Sequence, residues 1–552
     1  MKKKLLTLAA AMLATLTTWA QVTPMILGEN HAMVRLQQDR KYLLLPVEEK
    51  AEMANLSLID AHNEVTQRMN VRLAVDNVDY FVPMEIRGNQ MLDITLHGDR
   101  RTTGPVKDFA CWREMKDADT FDAANREQYR PLYHHTPPYG WMNDPNGMFY
   151  KDGTWHLYYQ YNPYGSQWEN MTWGHSTSTD LIHWEAQPIA IEPDGLGAIF
   201  SGSCVTDGDN IVAFYTSAGQ HQTQSMAVSI DNGRSFEKFN GNPVLTSDVP
   251  DFRDPKVFWN AEAQVWNLIL AAGQEMRIYS SLDLKEWKYE SSFGKEYGNH
   301  GGVWECPDLF KVDGKWVLLC NINPGGPFGG SATQYFVGDF DGKRFTCESM
   351  PKVTKWLDYG KDHYATVSFY NAPAQRRVAL AWMSNWQYAN NVPTKQFRSA
   401  NSIPRDLGLF QDGEETYVSV LPSKEMLAVR GAKLNKPAEA CEIVVDVKGS
   451  MELTLSNAKG EKVMLAYDAQ KQTLAMDRTQ SGQVGFSEAF PCVTTAPTHG
   501  ALKQLRLFID RCSIEAFASD GKVAMTNLVF PSEPYNQLKV KGGKATIYNI
   551  EH

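Results

Sequence analysis

The chain has 552 residues, 43% of them hydrophobic and 21% charged, with a formal net charge of −10. This is the composition of a globular protein with ample core material, and no long basic run follows the N-terminus, which argues against nucleic acid as a partner. Aromatic residues are abundant (15 Trp, 23 Tyr and 24 Phe), and flat apolar rings suit the C–H faces of sugars as well as cores.

Residues 1–20 are predicted to be an export signal. Lys2, Lys3 and Lys4 form a charged start, an apolar stretch runs from Leu5 to Trp19, and Thr18, Trp19 and Ala20 offer a cleavage site before Gln21. The stretch is too short to span a bilayer, no later segment reaches ~18 uninterrupted apolar residues, and no Cys stands at the cleavage site for a lipid anchor. The mature chain is therefore expected to be exported, to the periplasm or beyond, with no membrane span. Residues 22–106 carry strand candidates starting at Tyr42, Val71 and Met91 and read as a small N-terminal β-domain. Residues 107–128 are polar and charged and read as a linker.

From 129 to 425 one strand-like pattern recurs five times: Trp155 to Pro163, Ile211 to Gly219, Val265 to Gly273, Lys315 to Asn323 and Arg377 to Asn385. A second pattern, an Asp turn followed by an aromatic four or five residues on, starts at Asp180, Asp231, Asp283 and Asp341. Five all-strand units of about 50 residues predict a five-bladed β-propeller, whose closed ring protects sheet edges. A large β-sandwich with coincidental spacing is the alternative. Residues 426–552 alternate regularly, as from Met451 and Leu505, and read as a C-terminal β-sandwich. The fold class is thus all-β. The eight Cys contain no CxxC pair, so no zinc site is expected, and their pairing is not legible.

Polar motifs keep step with the repeat. They are Trp141 to Gly147 (WMNDPNG), Phe200 to Ser203 (FSGS), Phe252 to Pro255 (FRDP), Trp304 to Asp308 (WECPD) and Asp358 to Tyr364 (DYGKDHY). Taking Asp144, Ser201, Asp254, Glu305 and Asp362 as markers, the spacings are 57, 53, 51 and 57 residues. Equivalent positions in blades lie at equivalent places around the axis, so these motifs are predicted to converge on one central pocket. Carboxyls around a pocket suit glycoside cleavage, which needs a nucleophile and a general acid that later acts as base. Glu305, between Trp304 and Cys306, has an apolar setting suited to a protonated group; Asp144 lies in a polar turn suited to an ionised one. Each motif alone is an ordinary turn or strand-end signal; their phase is what carries weight.

At these residues the chain resembles glycoside hydrolase family 32, the invertase, inulinase and levanase group. WMNDPNG, FRDP and WECP match its signature blocks in order, and the resemblance covers about residues 130 to 550. It implies a five-bladed propeller with a C-terminal sandwich, and a retaining mechanism without metal or cofactor. It assigns Asp144 as nucleophile, Glu305 as acid/base and Asp254 as transition-state stabiliser. It also implies substrate-binding roles for Asn143, Gln160, Trp168, Phe200, Ser201, Arg253, Asp362 and Trp386, with fructan or sucrose as substrate; for Asp362 the alternative is support of the acid/base. His175 reads as structural. Met383 to Thr394 resembles exo-acting inulinases and levanases. His363 stands where relatives more often carry an aromatic such as Phe. An endo-acting levanase, a fructosyltransferase, an inverting arabinan- or xylan-cleaving propeller enzyme and a non-catalytic fructan-binding protein remain alternatives.

Overall fold

The computed structural model describes residues 20–96, 108–123 and 126–552. The expected export signal lies outside them except for its last residue. Two units are distinct, one ending at Ala123 and one starting at Ala124. Among the described residues no helix is long and apolar enough to cross a membrane.

The N-terminal unit holds two antiparallel sheets. One orders Ala20–Gln21, Lys116–Ala118, Tyr42–Val47 and Tyr80–Glu85; the other orders Met25–Ile26, His31–Arg35, Met91–Thr95, Ala54–Ile59 and Val65–Val71. Period-two alternation drives the second: Ala32 and Val34, Leu92 and Ile94, Leu56 and Leu58 are buried while their neighbours are not. The expected linker is corrected here. Lys116–Ala118 pairs with Tyr42–Leu44 on one side and Ala20–Gln21 on the other, and Ala110–Glu114 forms a helical turn before it. The charges of 107–128 masked an apolar set, Phe109, Ala110, Cys111, Trp112 and Met115, all of which are buried.

The second unit opens with five antiparallel sheets. Their first strands are Gly140–Lys151, Ala198–Asp207, Phe252–Asn260, Val303–Val312 and Tyr364–Ser368. These touch each other in cyclic order, the fifth returning to the first, so the sheets are blades of a closed propeller. Phe397–Arg398 pairs in parallel with Gly140–Trp141 beside the closure. The recurring apolar pattern supplies each blade's second strand, and in the fourth, Lys315–Asn323, seven consecutive residues are buried. The Asp turns join third to fourth strands. Asp180 accepts the backbone N–H of Ile182 and His183, and Asp283 that of Lys285 and Glu286. Each also bonds a Ser two residues before it. The carboxylate thus replaces the ladder bonds the turn lacks.

The C-terminal sandwich is organised by one long strand, Cys441–Ser456. Its first half pairs with Gln504–Asp510, its second half with Lys462–Asp468, and Gln537–Ile550 follows both, with a break in register between Val447 and Glu452. Ile443, Val445, Leu453, Leu465, Leu507 and Ile514 build its core. Sandwich and propeller share a second apolar cluster, in which Val317, Leu319, Val418 and Val420 meet Phe508, Phe517 and Ile550. A buried polar chain reinforces this interface. Asp358 pairs with Arg405 at 2.7 Å, Arg405 reaches Glu515, and His134 bridges Glu515 and Asp510 at 2.8 Å to each.

Candidate active site

Every first strand of the propeller breaks register with its neighbour at the polar motif. The breaks lie between Met142 and Pro145, Ile199 and Gly202, Arg253 and Lys256, Glu305 and Asp308, and Tyr364 and Val367. A bulge strands residues off the ladder and re-aims their side chains. Asn143 and Asp144, Phe200 and Ser201, Asp254 and Pro255, Cys306 and Pro307, and Ala365 and Thr366 are the stranded residues. Asp254 and Cys306 take left-handed φ values of 66° and 42°, as does Ala365 in the fifth blade at 55°, a conformation non-glycine residues adopt at a cost. The stranded N–H of Asp254 finds Thr216 Oγ1 at 3.0 Å.

The bulges bring the three acids together. Asp144 Oδ2 accepts from Ser201 Oγ at 2.7 Å and from the Cys306 thiol at 3.3 Å; its Oδ1 accepts from Asn143 Nδ2 at 2.9 Å. Asn143 is itself fixed by Trp141 Nε1 at 2.7 Å. The N–H of Cys306 donates to Asp254 Oδ2 at 2.8 Å, so one residue touches two of the acids. Glu305 Oε1 accepts from Arg253 at 2.8 and 3.2 Å, and Oε2 accepts from the Tyr364 hydroxyl. Arg253 is steadied from behind by Asp251 at 2.7 Å and Gln222 at 3.1 Å.

Arg253 is the cation beside Glu305 and Asp254, in a site where Asp254 is buried and Asp144 and Glu305 are partly buried. Burial pushes the Asp254 carboxyl up to about 7; Asp144 and Glu305 add to the rise, and Arg253 opposes it. Burial also raises Glu305, against Arg253 and the Tyr364 hydroxyl, which both favour its ionised form. Asp254 and Glu305 are therefore both biased toward keeping a proton where isolated carboxyls have lost theirs. Such a set can present an ionised oxygen and a donatable proton to the same bond. Among the described residues no group of His, Cys, Asp and Glu is arranged to hold a metal ion, and all eight cysteines are free thiols.

The other expected site residues divide. Gln160 lies across the strand pair from the Asn143–Asp144 bulge, is 2% exposed, and its Nε2 has no partner within the protein. A buried, unsatisfied donor beside a carboxylate is suited to a ligand hydroxyl. Trp168, 40% exposed, meets Phe200 edge-on at 6.1 Å. Trp386 stacks on Trp141 at 5.8 Å and packs on Trp382 at 4.7 Å. Asp362 is a correction. It is 0% exposed, and its oxygens are consumed by Tyr388 Oη at 2.5 Å, the Leu528 N–H at 2.8 Å and Arg478. It joins propeller to sandwich and has no face for a sugar. His363 is equally buried; its Nδ1 lies 3.2 Å from Thr366 Oγ1, and burial with the nearby Arg405 pushes its imidazole down to about 3. His175 stacks with His156 inside the first blade and is fully buried.

Sequence reasoning passed over Tyr364, Cys306, Asp251 and Gln222. The signal for Tyr364 was present. The residues preceding the bulges are Met142, Ile199, Arg253, Glu305 and Tyr364, so Tyr364, and not Asp362, is the fifth blade's counterpart of Glu305.

Comparison with known proteins places this architecture. A family model described as the glycosyl hydrolases family 32 N-terminal domain matches residues 134–420, and one for the family 32 C terminus matches 415–552. A domain of unknown function (DUF4980) matches 28–133. A levanase of Bacillus subtilis is 44% identical over 462 residues, covering 75% of this chain and 68% of the relative. An extracellular exo-inulinase of Aspergillus niger is 37% identical over 490 residues, covering 74% and 91%. Among solved structures, exo-inulinase from Aspergillus awamori superposes with a TM-score of 0.71 at 33% identity, covering 77% of this chain and 99% of that one.

Proposed function

The chain belongs to glycoside hydrolase family 32, a family of glycosidases, and from that membership and the hub geometry we propose that it is an exported, exo-acting fructan β-fructosidase working by double displacement. The observation that carries the reading is the bulge set. It gathers Asp144, Asp254 and Glu305 from three blades into one hydrogen-bonded cluster through Cys306 and Arg253.

Asp144 is the nucleophile. Ser201, Asn143 and Cys306 hold both its oxygens in place, so its attack on the anomeric C2 of a terminal fructose needs little reorganisation. As the C2–O bond to the leaving sugar breaks, Glu305 gives that oxygen its proton. Water then attacks C2, Glu305 takes a proton from it, and the bond from C2 to Asp144 breaks, restoring the enzyme. Asp254 holds ring hydroxyls and offsets the positive charge that grows on the sugar. Gln160, with its free buried amide, and the half-buried Trp386 are suited to bind the same ring. Relatives named levanase and exo-inulinase support a fructan substrate. The apolar leader of residues 5–19 and an extracellular relative support export.

Time-resolved product analysis on levan, inulin and sucrose tests the reading. Fructose as the sole early product is expected. Mixed oligosaccharides would replace it with an endo-acting enzyme, and fructosyl transfer at high sucrose with a transferase. Asp144→Ala that still binds fructan but releases nothing excludes a purely binding protein.

A further inference from the structure

We infer that Arg478, in the C-terminal sandwich, is a positioning residue for the hydrolysis, clamping the two fifth-blade segments that carry Tyr364 and Trp386. The inference rests on the proposed roles of Glu305 and the pocket.

Arg478 sits on Thr473–Gln480, in the same alternation as Leu474 and Met476, which are core. A guanidinium at the next inward position is costly to bury unless paired. Four of its N–H groups are engaged. Nε donates to Phe490 O at 2.9 Å, Nη1 to Asp362 Oδ2 and to Leu528 O at 3.1 Å, and Nη2 to Tyr388 Oη at 2.8 Å. Its plane lies 4.0 Å from the centroid of Phe490. Tyr388 in turn donates to Asp362 at 2.5 Å, closing a triangle of acid, phenol and guanidinium.

Two corners of that triangle lead into the pocket. Asp362 is two residues before Tyr364, whose hydroxyl holds Glu305 Oε2. Tyr388 is two residues after Trp386, which stacks on Trp141, the residue that fixes Asn143 and through it Asp144. The same segments dock on the sandwich by backbone. Tyr359 N donates to Ala524 O at 2.8 Å, Asp362 N to Thr526 O at 3.1 Å, and Asn385 Nδ2 ties the two segments through Lys361 O at 2.9 Å. Arg478 is the cation set directly against the buried Asp362 carboxylate between them. Without it Asp362 loses its Arg478 partner in a buried site and must move, and Tyr364 moves with it.

The test uses the full chain with Arg478→Lys, Arg478→Met, Asp362→Asn/Arg478→Met, Tyr364→Phe and Tyr364→Phe/Arg478→Lys. The Asn/Met double variant removes both buried charges and preserves a folded reference if Arg478→Met fails to fold. Arg478→Lys keeps the charge but cannot reach all four acceptors. It is expected to lower kcat about 10- to 100-fold with a smaller change in KM, and to move the alkaline limb of kcat upward, because Glu305 loses a bond that favours its ionised form. Tyr364→Phe should give the same pH shift, and the Tyr364→Phe/Arg478→Lys variant no further shift. Titration of the Glu305 carboxyl by its protonated C=O infrared band, identified by its loss in Glu305→Gln, reads the same shift without substrate. A wild-type chain that releases no fructose would count against the proposed function alone. Folded Arg478→Lys and Asn/Met variants with an unmoved Glu305 titration, or a lysine shift that adds in full to that of Tyr364→Phe, would overturn the clamp.

Discussion

Two clusters of buried carboxyls in this chain titrate in opposite directions, and countercharge separates them. At the propeller hub Asp254 and Glu305 lie beside Arg253, and burial lifts Asp254 to about 7 and raises Glu305. At the interface with the sandwich, Asp358, Asp362, Asp510 and Glu515 meet Arg405, Arg478 and His134. Burial there is deeper, yet His363 and Arg405 hold Asp358 low, and His134 with backbone N–H groups does the same for Asp510. Against burial, the Asp510 and Glu515 carboxylates push His134 up to about 9. Burial alone therefore does not mark a reactive acid. A shortage of compensating charge does, because it leaves a proton to be given.

The sharpest way to break this contrast is to neutralise the hub. Asp144→Asn and Glu305→Gln should each cut kcat on fructan by about 10⁴-fold or more. The thermal midpoint should hold or rise, since each change relieves repulsion between carboxylates. An activity loss matched by a comparable loss of stability would make the hub a structural cluster like the interface.

The interface should respond in the reverse sense. Arg405→Met removes the cation from Asp358 and leaves Glu515 with His134 alone, and is expected to cost about 3–5 kcal/mol in urea unfolding. A loss under 1 kcal/mol would show that the carboxylates do not depend on it.

His134 sharpens the comparison through pH. Its pKa is raised on folding from about 6.5 to about 9. The stability it contributes is complete below pH 6.5 and is lost as pH rises through 9, by up to about 3 kcal/mol. Melting curves from pH 6 to 10 should show this decline, and His134→Gln should flatten it.

The smallest effect is expected at Asp117 in the N-terminal unit, an acid buried without a matched cation and belonging to neither the propeller nor the sandwich. Its Oδ1 has no hydrogen-bond partner, Arg40 is bound to Asp119 instead, and burial pushes its carboxyl up to about 6. A raised carboxyl favours the fold below the unfolded value and loses that advantage as pH rises through 6. Asp117→Asn should then stabilise this unit by on the order of 1 kcal/mol at pH 8 and by nothing measurable at pH 4. Fructan hydrolysis should be untouched, which separates uncompensated burial from catalysis.

Much of the molecule is written locally. Five apolar second strands and the Asp turns after the third strands repeat because each blade must bury the same faces and close the same turn, so the blade count and the phase of the acids follow from spacing. Asp144, Asp254 and Glu305 were legible for that reason. The linker error arose from weighing charges over the apolar set of Phe109, Trp112 and Met115, whose burial a one-dimensional pattern does not display.

The remainder belongs to three-dimensional contact. Asp362 and Glu305 are both acids in phase with the repeat, and no local feature tells which joins the hub cluster. The bulge register decides it, placing Tyr364 where Asp362 was expected, while the sandwich supplies Arg478 from 116 residues away in sequence to consume the aspartate. Chain order fixes hydrophobic period and turn chemistry, which are short-range. The charge state of a buried acid depends on which cation folding brings against it, and that is settled only when distant strands meet.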